Sequence, residues 1–546
     1  MRSSSRRQPR KHGKTPYWPD RKLETRSEIR LSTAVLLHDF FTSSANRLPT
    51  KTALVREGRR TTYADLARQA GALAQALRQR GVRRGDRVAL FLDNSEEMVA
   101  SIFAVLQVGA VFMPVNTLTK ADKLAYMLND AQASGLITQT ALAAVAHQAL
   151  AQAPSVHTCW MVGGDTALEH RYALETPYPA PWLETDPMPL EESACIDLDL
   201  AAIIYTSGST GHPKGVMLTH LNMVTAQASV SQYLGLREDD VIACALPLAF
   251  DYGLYQVLMA FKLGATVMLE RSFTYPVKVL EAMAREGATV FPGVPTMFAL
   301  LMALDNLASF DLRRLRLITN TAAALPEAHI RRIRSLFPQA QLFSMYGLTE
   351  CKRVTYLPPD QLDIRPTSVG RGMPNEEVWL VDEAGQRLPN GGSGELVIRG
   401  SHVMRGYWNK PRETAERLRP GPIAGEMVLY SGDIFRTDAE GYLYFVARKD
   451  DIIKSRGEKV SPREVENILH ELPGVIEVAV VGVDDALLGQ AVKAFIVLAP
   501  GRAYTERDVI KHCHARMESF MAPKLVEFVG ELPRTDTGKI KKTGLR

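Results

Sequence analysis

The chain has 546 residues, 46% hydrophobic and 23% charged, which is the composition of an ordinary soluble globular protein but too long for one hydrophobic core. Its net charge of +5 arises in residues 1–30, which hold ten lysines and arginines and three acidic residues. The rest is nearly neutral, so we expect no nucleic-acid partner. Residues 1–30 are predicted to be a disordered basic tail, for which contact with nucleic acid or a membrane is a minor alternative.

The cysteines and the hydropathy of the chain indicate the cellular compartment in which the protein is expected. The cysteines are scattered, odd in number and without C-x-x-C spacing, at Cys159, Cys195, Cys244, Cys351 and Cys513. This pattern favours neither a disulfide framework nor a zinc site and predicts a reducing, cytoplasmic location. The most apolar window, residues 98–115, contains polar residues, a glycine and a proline, so we interpret it as a core helix followed by a strand. We therefore expect no transmembrane segment.

Helical and strand patterns alternate through the first part of the chain. Thr62 is a typical N-cap with Asp65 three positions later, and apolar residues then recur at helical spacing as far as Gly81. The runs predicted as strands are residues 88–92, 110–115, 136–138, 200–205, 241–246, 265–269, 289–291 and 315–318. This alternation predicts an α/β fold with parallel sheets and helices on their faces.

The pattern changes towards the C-terminus. From Ser368 short strands and turns follow one another, which predicts a β-rich subdomain, and from about residue 450 helices and strands form a separate α+β pattern. We therefore divide the chain into three parts. These are the tail (1–30), a large N-terminal domain of stacked α/β subdomains plus the β-rich subdomain (31–449), and a small α+β C-terminal domain (450–546).

A loop rich in Ser, Thr and Gly follows the apolar run that ends at Tyr205. It consists of Thr206, Ser207, Gly208, Ser209, Thr210 and Gly211, and Lys214 comes shortly after it. Glycines let backbone N–H groups approach a ligand, hydroxyls add donors and the lysine adds a mobile charge, so the loop is predicted to bind an anion such as phosphate. A flexible linker is the alternative. Pro213 stands where a Walker A loop has its second glycine, which excludes that motif.

Two further motifs carry carboxylates. Residues 344–350 follow a predicted strand and end in Thr349 and Glu350, which could cap a helix or hold phosphate and Mg²⁺. Asp433 follows Gly432 in a geometry suited to binding a ribose diol, with a plain turn as the alternative. Neither motif is decisive by itself.

Two charged segments lie near the C-terminus. Residues 448–460 carry eight charged residues around Gly457 at the predicted domain boundary, a pattern typical of a solvated linker or of a hinge. Lys539 follows Gly538 near the chain end, where a lysine is usually only solvated.

Taken together, the order and spacing of these motifs resemble the AMP-forming acyl-CoA synthetases of the adenylate-forming (ANL) superfamily, from about Val35 to the end of the chain. The resemblance implies that ATP and a small carboxylic acid give an acyl-adenylate and pyrophosphate, after which a thiol displaces AMP to form a thioester. The implied cofactors are ATP, Mg²⁺ and CoA. The alternative is a free-standing adenylation enzyme that loads an amino or other polar acid onto the phosphopantetheine of a carrier protein.

The resemblance also implies residue roles. Thr206 to Gly211 and Lys214 would hold the β- and γ-phosphates, and Thr349 would touch the α-phosphate while Glu350 binds the metal. Tyr346 would stack on adenine, and Asp433 and Arg448 would bind the ribose. Lys539 would bridge the carboxylate and the α-phosphate in the first step only. The small domain would then rotate at Asp450 and present the Gly457 loop for the thiol step. A non-catalytic nucleotide-binding protein is disfavoured by Lys214, Glu350, Asp433 and Lys539, all present.

Two departures from the family pattern concern the acid. The residues assigned to the acyl pocket are Phe250, Asp251, Tyr252, Gly253, Asn320 and Thr321. Many fatty and aryl acyl-CoA synthetases have a histidine in Pro-Leu-x-His, which this chain lacks, and its Phe250-Asp251 pair looks more like that of amino-acid adenylation domains. Asn320 begins a segment that is usually glycine-rich. Asp251 could pair with a substrate ammonium, or it could be a structural aspartate bonded to backbone N–H groups. The sequence leaves both readings open.

Overall fold

The computed structural model describes residues 35–163, 175–177, 195–206, 213–304, 306–321, 325–455, 458–485, 488–534 and 540–545. The predicted basic tail, most of the anion-binding loop (Ser207, Gly208, Ser209, Thr210 and Gly211), Gly457 and Lys539 therefore lie outside the described residues.

The α-helices, numbered in chain order, begin in the large N-terminal domain. They are α1 Leu37–Arg47, α2 Tyr63–Gln79, α3 Glu96–Val108, α4 Ala121–Asp130, α5 Ala143–Leu150, α6 His220–Tyr233, α7 Asp251–Leu263, α8 Pro276–Glu286, α9 Pro295–Met302, α10 Glu327–Leu336 and α11 Pro411–Arg417. The small C-terminal domain contributes α12 Pro462–Leu469 and α13 Glu506–His514.

The strands are numbered in the same way. Those before residue 300 are β1 Thr52–Arg56, β2 Arg59–Thr62, β3 Arg87–Phe91, β4 Val111–Pro114, β5 Gly135–Gln139, β6 Thr158–Val162, β7 Glu175–Pro177, β8 Leu200–Thr206, β9 Lys214–Thr219, β10 Val241–Cys244, β11 Thr266–Leu269 and β12 Val290–Gly293. Those up to residue 448 are β13 Leu317–Asn320, β14 Gln341–Tyr346, β15 Thr355–Leu357, β16 Arg371–Gly372, β17 Glu376–Val381, β18 Ser393–Gly400, β19 Gly406–Tyr407, β20 Leu418–Pro420, β21 Met427–Thr437 and β22 Leu443–Arg448. The last are β23 Ile453–Ser455, β24 Glu458–Val460, β25 Val475–Asp485, β26 Gly489–Leu498 and β27 Leu525–Phe528.

Two large sheets dominate the described part of the N-terminal domain. The first has the strand order β16-β15-β14-β13-β12-β10-β11-β1-β2, and its strands from β14 to β1 are parallel. The second has the order β19-β9-β8-β4-β3-β5-β6-β7 and is parallel from β8 to β7. The predicted alternation of helices with parallel strands is thus confirmed.

Helices packed between elements of the two sheets form the main core. Helix α3 contacts β3 and β4 of the second sheet, α7 contacts β10 and β11 of the first, and α1 contacts both helices. Phe41 of α1 stacks on Phe103 of α3 at 4.3 Å and on Phe261 of α7 at 5.4 Å between ring centroids. Burial of each such ring stabilises the fold by about 1.5–3 kcal/mol, so these aromatic contacts hold the two sheets in a fixed arrangement.

The C-terminal half contains two smaller sheets. Strands β17, β18, β21 and β20 form an antiparallel sheet with β22 paired to β21, which is the predicted β-rich subdomain. Strands β24, β23, β26 and β25, with β27 paired in parallel to β26, form the sheet of the small α+β domain. Its own apolar core includes Val465, Val480 and Val509 from one helix, a strand and the other helix.

Local sequence signals are reproduced closely. The helix predicted after Thr62 is α2, and the Thr62 hydroxyl accepts a hydrogen bond of 3.1 Å from the Asp65 N–H. Several strands were not predicted, among them β1, β2, β6 and β9. Strand β9 begins at Lys214 and pairs antiparallel with β8, so that Lys214 lies opposite Thr206. None of the helices in the described ranges is both long and apolar enough to span a membrane.

Candidate active site

The predicted site residues converge because parallel strands point their carboxyl ends to one edge of a sheet. Strand β13 ends at Asn320 and the adjacent β14 ends at Tyr346. Strand β10 ends at Cys244 and leads through residues 245–250 to α7, which begins at Asp251. Three segments that lie far apart in the sequence therefore meet at the same edge of the first sheet.

A tyrosine and an aspartate form the nucleotide side of this edge. The Tyr346 hydroxyl donates a hydrogen bond of 2.6 Å to Asp433 Oδ2. Asp433 lies opposite Arg448 in the β21–β22 pair, and Arg448 Nε is 3.9 Å from Asp433 Oδ1. Burial raises the pKa of Tyr346 well above its ordinary value, with the Asp433 charge acting in the same direction. The phenol therefore stays a donor, and the predicted adenine and ribose residues are neighbours.

Tyr407 contacts both Glu350, in the loop after β14 of the first sheet, and Lys214, in β9 of the second sheet. The Tyr407 hydroxyl donates a hydrogen bond of 2.7 Å to Glu350 Oε1. Lys214 Nζ lies 5.5 Å from the centre of the Tyr407 ring. Tyr407 is in the short strand β19, which pairs with β9 directly beyond Lys214. Sequence reasoning missed Tyr407, because nothing in its local pattern marks a residue that joins the two sheets.

The hairpin that carries the anion-binding loop is firmly anchored at its base. Thr206 and Lys214 are paired across β8 and β9, with the Thr206 hydroxyl 3.5 Å from the Lys214 carbonyl oxygen. The neighbouring Tyr205 hydroxyl donates to Asp130 Oδ2 at 2.7 Å, which ties β8 to the end of α4. Only the two ends of the predicted phosphate loop, Thr206 and Lys214, fall within the described residues.

The segment after β14 is a loop and does not begin a helix, so the helix-cap reading of Thr349 and Glu350 was wrong. Both residues are half-buried in turns between β14 and β15. A Cβ on Gly347 would lie 2.5 Å from the Lys352 carbonyl oxygen and 2.9 Å from the Arg353 Cα. Only glycine permits this close return of the chain. The loop therefore places Thr349, Glu350 and the two following cations together.

The residues assigned to the acid lie on the other side of this loop. Tyr252 is buried, and its hydroxyl donates to the Thr319 carbonyl oxygen at 2.9 Å, while Asn320 and Thr321 are buried just beyond. Phe250 is half-buried at the N-terminal end of α7. A Cβ on Gly253 would lie 2.3 Å from the Pro247 carbonyl oxygen, so this glycine is required for packing. Gly253 therefore shapes the turn and does not line a cavity with a side chain.

Asp251 has a cationic partner within the chain, which neither sequence reading anticipated. Lys352 Nζ donates to the Asp251 carbonyl oxygen at 2.7 Å and lies 3.5 Å from Asp251 Oδ2. The Lys352 side chain is 2% exposed and that of Asp251 is 25% exposed. The pair weakens the argument for a substrate ammonium, because the carboxylate already has a charge partner. The signal that sequence reasoning overlooked is the Lys-Arg pair two residues after Glu350.

Lys352 is held in an unusual state. Its φ of 64° is left-handed, which is uncommon for a residue with a side chain and marks a position that the surroundings impose. Burial lowers its pKa to about 7, the Asp251 charge opposes that shift and the Arg353 charge adds to it. The lysine is therefore poised between its charged and neutral forms near neutral pH.

The predicted hinge lies between β22 and β23. Residues 449–451, including Asp450, form a single 3-10 turn, and Lys449 Nζ is 2.9 Å from Glu395 Oε2 in the β-rich subdomain. The Ser461 hydroxyl, at the N-cap of α12, donates to the Val446 carbonyl oxygen at 2.6 Å. The Ser461–Val446 contact crosses the predicted boundary between residues 449 and 450, whereas the Lys449–Glu395 contact lies just before it.

Glu350 suits a hard cation such as Mg²⁺, which prefers oxygen ligands and usually takes several of them from substrate phosphates. Within the ranges that the structure describes, no group of three or more His, Cys, Asp or Glu residues could hold a metal ion. A Mg²⁺ ion at Glu350 would therefore rely on ATP for most of its ligands.

Comparison with known proteins gives the class. A family model described as AMP-binding enzyme matches residues 41–408, and the AMP-binding enzyme C-terminal domain matches residues 464–539. A long-chain-fatty-acid–CoA ligase of Bacillus subtilis (strain 168) is 32% identical over 539 residues, covering 93% of this chain and 94% of that protein. A feruloyl-CoA synthase of Amycolatopsis sp is 35% identical over 506 residues, covering 92% and 96% respectively. The crystal structure of the anthranilate CoA ligase AuaEII with anthranoyl-AMP matches with a TM-score of 0.84 at 30% identity, covering 93% of this chain and 96% of that one.

The chain therefore belongs to the AMP-binding enzyme family, within the adenylate-forming superfamily. It is an AMP-forming acid–thiol ligase of the acyl-CoA synthetase type, with the large N-terminal and small C-terminal domains of that fold. The predicted family and fold class are both confirmed.

Proposed function

We propose that this ligase uses ATP, Mg²⁺ and CoA to convert a small carboxylic acid into its CoA thioester, with AMP and pyrophosphate as products. The observation that carries the proposal is a pair of contact groups on either side of the loop that runs from Tyr346 to Glu350. Tyr346 and Asp433 form one group, and Lys214, Tyr407 and Glu350 form the other. The names of the relatives, which are CoA ligases and synthases, support CoA as the thiol.

The first step needs positioning and neutralisation of charge, because a carboxylate is a poor nucleophile and repels a triphosphate. Asp433 and Arg448 hold the ribose, and Tyr346 fixes Asp433 while its ring supports the base. Lys214 and the loop from Thr206 to Gly211 bind the departing pyrophosphate. A Mg²⁺ ion held by Glu350 supplies further neutralisation of phosphate charge.

Thr349 and Lys539 act at the reacting centre in this proposal. Thr349 donates to the α-phosphate, and Lys539 bridges that phosphate and the acid. Losing one such preorganised donor costs on the order of 10² to 10³ in rate. The C-terminal domain, residues 450–546, then turns at Asp450 and brings the Gly457 loop to the thiol. A cytoplasmic location agrees with the five cysteines, none of which forms a disulfide in the described part of the chain, and stays a prediction.

The test separates the two half-reactions. ATP–pyrophosphate exchange is measured with a panel of fatty, aryl and amino acids, and thioester formation is measured with CoA and with a phosphopantetheinylated carrier protein. We expect Lys539→Ala to lose exchange but to keep thioester formation from a supplied acyl-adenylate, and Lys541→Ala, an exposed neighbour, to keep both. Normal exchange by Lys539→Ala, or thioester formation on the carrier protein alone, would contradict the proposal.

A further inference from the structure

Arg353 is buried without a charge partner. Only 2% of the residue is exposed, yet its guanidinium makes no ion pair and no hydrogen bond with any of the described residues. It lies over the Tyr252 ring, whose centre is 5.1 Å from Arg353 Cζ. A cation–π contact offsets only part of the cost of removing a guanidinium from water, so this cation is left without an anion at ion-pair distance among the described residues.

The position of this guanidinium identifies where the missing anion belongs. Tyr252 beneath it is bonded to Thr319 of β13, directly before Asn320 and Thr321. Arg353 itself comes three residues after Glu350, on the loop that returns against Gly347. The guanidinium is therefore bounded by the same three segments that were assigned to the acid: the start of α7, the end of β13 and the loop after β14.

One carboxylate beside the Tyr252 ring is already engaged. Asp251 accepts from Lys352, and Lys352 Nζ also lies 4.3 Å from the Tyr255 ring centre and 5.6 Å from the Tyr252 ring centre. Lys352 and Arg353 are thus two cations over the same ring. The Asp251 side chain is partly exposed, whereas Lys352 and Arg353 are buried.

We propose that Arg353 recognises a second carboxylate on the acid, so that the enzyme activates a dicarboxylic acid. One carboxylate reacts with ATP near Thr349 and Glu350, and the other stays charged and binds the planar guanidinium through paired hydrogen bonds. Arg353 is then the residue that determines specificity. This inference rests on the proposed ligase function and adds the substrate class to it.

The experiment measures kcat/KM in ATP–pyrophosphate exchange with matched pairs of acids. Each pair has the same carbon chain with and without the terminal carboxylate: succinate and butyrate, glutarate and pentanoate, adipate and hexanoate, suberate and octanoate. The wild type should prefer the diacid in at least one pair by a factor of about 10² or more, because a buried polar site rejects an analogue that leaves it unpaired.

The variants test the residue. Arg353→Met should lower kcat/KM for the preferred diacid by about 10²-fold and leave or improve activity on the monoacid, so that the preference disappears. Arg353→Lys keeps the positive charge but not the planar pair of N–H donors. Its preference for the diacid should therefore lie between those of the wild type and Arg353→Met. Arg371→Met is the control, because Arg371 also stacks on a tyrosine ring, Tyr442, at 4.1 Å but is exposed in β16, the edge strand of the first sheet. It should leave the ratio of diacid to monoacid unchanged.

The possible outcomes distinguish a failure of the diacid proposal from a failure of the ligase proposal. Absence of pyrophosphate exchange with every acid, charged or not, would overturn the ligase proposal itself. Activity on monoacids without a diacid preference in any pair would overturn only the role of Arg353, and this holds even if Arg353→Met does not fold. Equal losses on both members of a pair in a folded Arg353→Met variant, as judged by its melting temperature, would reduce Arg353 to a structural residue.

Discussion

The Tyr346 hydroxyl donates a 2.6 Å hydrogen bond to the Asp433 carboxylate, and this contact joins the last parallel strand of the first sheet to the β-rich subdomain. Tyr346 also packs edge-on against Phe435, at 4.9 Å between ring centroids. A carboxylate that is fixed in this way loses little freedom when a ribose binds, so it can select the sugar through both hydroxyl groups.

Asp433→Asn is therefore expected to lose discrimination between ATP and 2′-deoxy-ATP. The wild type should favour ATP in kcat/KM by about tenfold or more, since a charge-assisted hydrogen bond contributes about 1.5–3 kcal/mol. In the variant, the kcat/KM values for the two nucleotides should lie within a few-fold of each other. Tyr346→Phe, which keeps the ring, should raise KM for ATP several-fold with little change in kcat. Unchanged nucleotide preference in Asp433→Asn would remove the ribose assignment.

Tyr407→Phe is expected to change the dependence of exchange on Mg²⁺. Removing the hydroxyl frees Glu350 Oε1 from its 2.7 Å hydrogen bond and leaves the carboxylate less well oriented. We expect the Mg²⁺ concentration for half-maximal rate to rise by about tenfold, in line with the 10- to 100-fold effect of outer-shell partners. The control is Trp408→Phe, whose indole N–H donates instead to the Asp130 carbonyl oxygen. Identical Mg²⁺ curves for wild type and Tyr407→Phe would contradict the metal assignment.

The Lys352 pKa of about 7 predicts a pH effect on the acid. Below this pKa the ammonium adds to the positive charge beside Arg353, and as the pH rises through about 7 that charge is lost. The groups facing the ammonium are Asp251 and Arg353, together with the Tyr252 and Tyr255 rings. Accordingly, kcat/KM for a diacid should fall between pH 6 and pH 8 (about one unit either side of the pKa), while that for the matched monoacid should not.

Lys352→Arg supplies the control for this pH effect, since its charge does not titrate in this range. The fall in kcat/KM for the diacid should disappear in that variant. Persistence of the same fall would assign the titration to another group.

The buried pair Glu376 and His402 predicts a pH effect on stability. Their Oε2 and Nε2 atoms are 2.9 Å apart with both side chains fully buried. Burial raises the pKa of Glu376 well above its ordinary value and lowers that of His402 to about 4, so the histidine is neutral near pH 7 and Glu376 holds its proton to a higher pH than an exposed glutamate does. The folded chain keeps a proton on Glu376 that the unfolded chain releases. Stability from this group is therefore present at low pH and is lost as the pH rises through the folded-state pKa.

The glutamine side chain of Glu376→Gln does not titrate. The melting temperature of this variant should therefore rise relative to that of the wild type as the pH is increased from 6 to 9. This range lies about two to five units above the ordinary pKa of a glutamate. Glu377→Gln is the matched control, because Glu377 is partly exposed and pairs with Arg387 and Arg399 at the surface. Its melting curve should stay parallel to that of the wild type. A constant difference for Glu376→Gln at all pH values would show that Glu376 is ionised when folded.

Much of the fold and part of the site could be predicted from sequence because the signals are local. The Thr62 cap, helix α2 and the short apolar strands follow from periodicity and from contacts within a few residues. The position of Tyr346 at the end of β14 follows from the same patterns, whereas Asp433 lies within β21 and Glu350 in the loop after β14. Resemblance of motifs then supplied the family, which the comparisons confirmed.

Tertiary structure alone decided which of these residues touch. Tyr407 reaches Glu350 across 57 positions, and Lys352 reaches Asp251 across 101. Arg353 lies over Tyr252, 101 positions earlier in the chain. Such contacts depend on how two sheets are packed around the α1, α3 and α7 aromatic cluster, and no local pattern encodes that packing. The sequence by itself determined that the chain activates an acid with ATP, whereas the packed structure decided that two buried cations, Lys352 and Arg353, lie over one tyrosine ring.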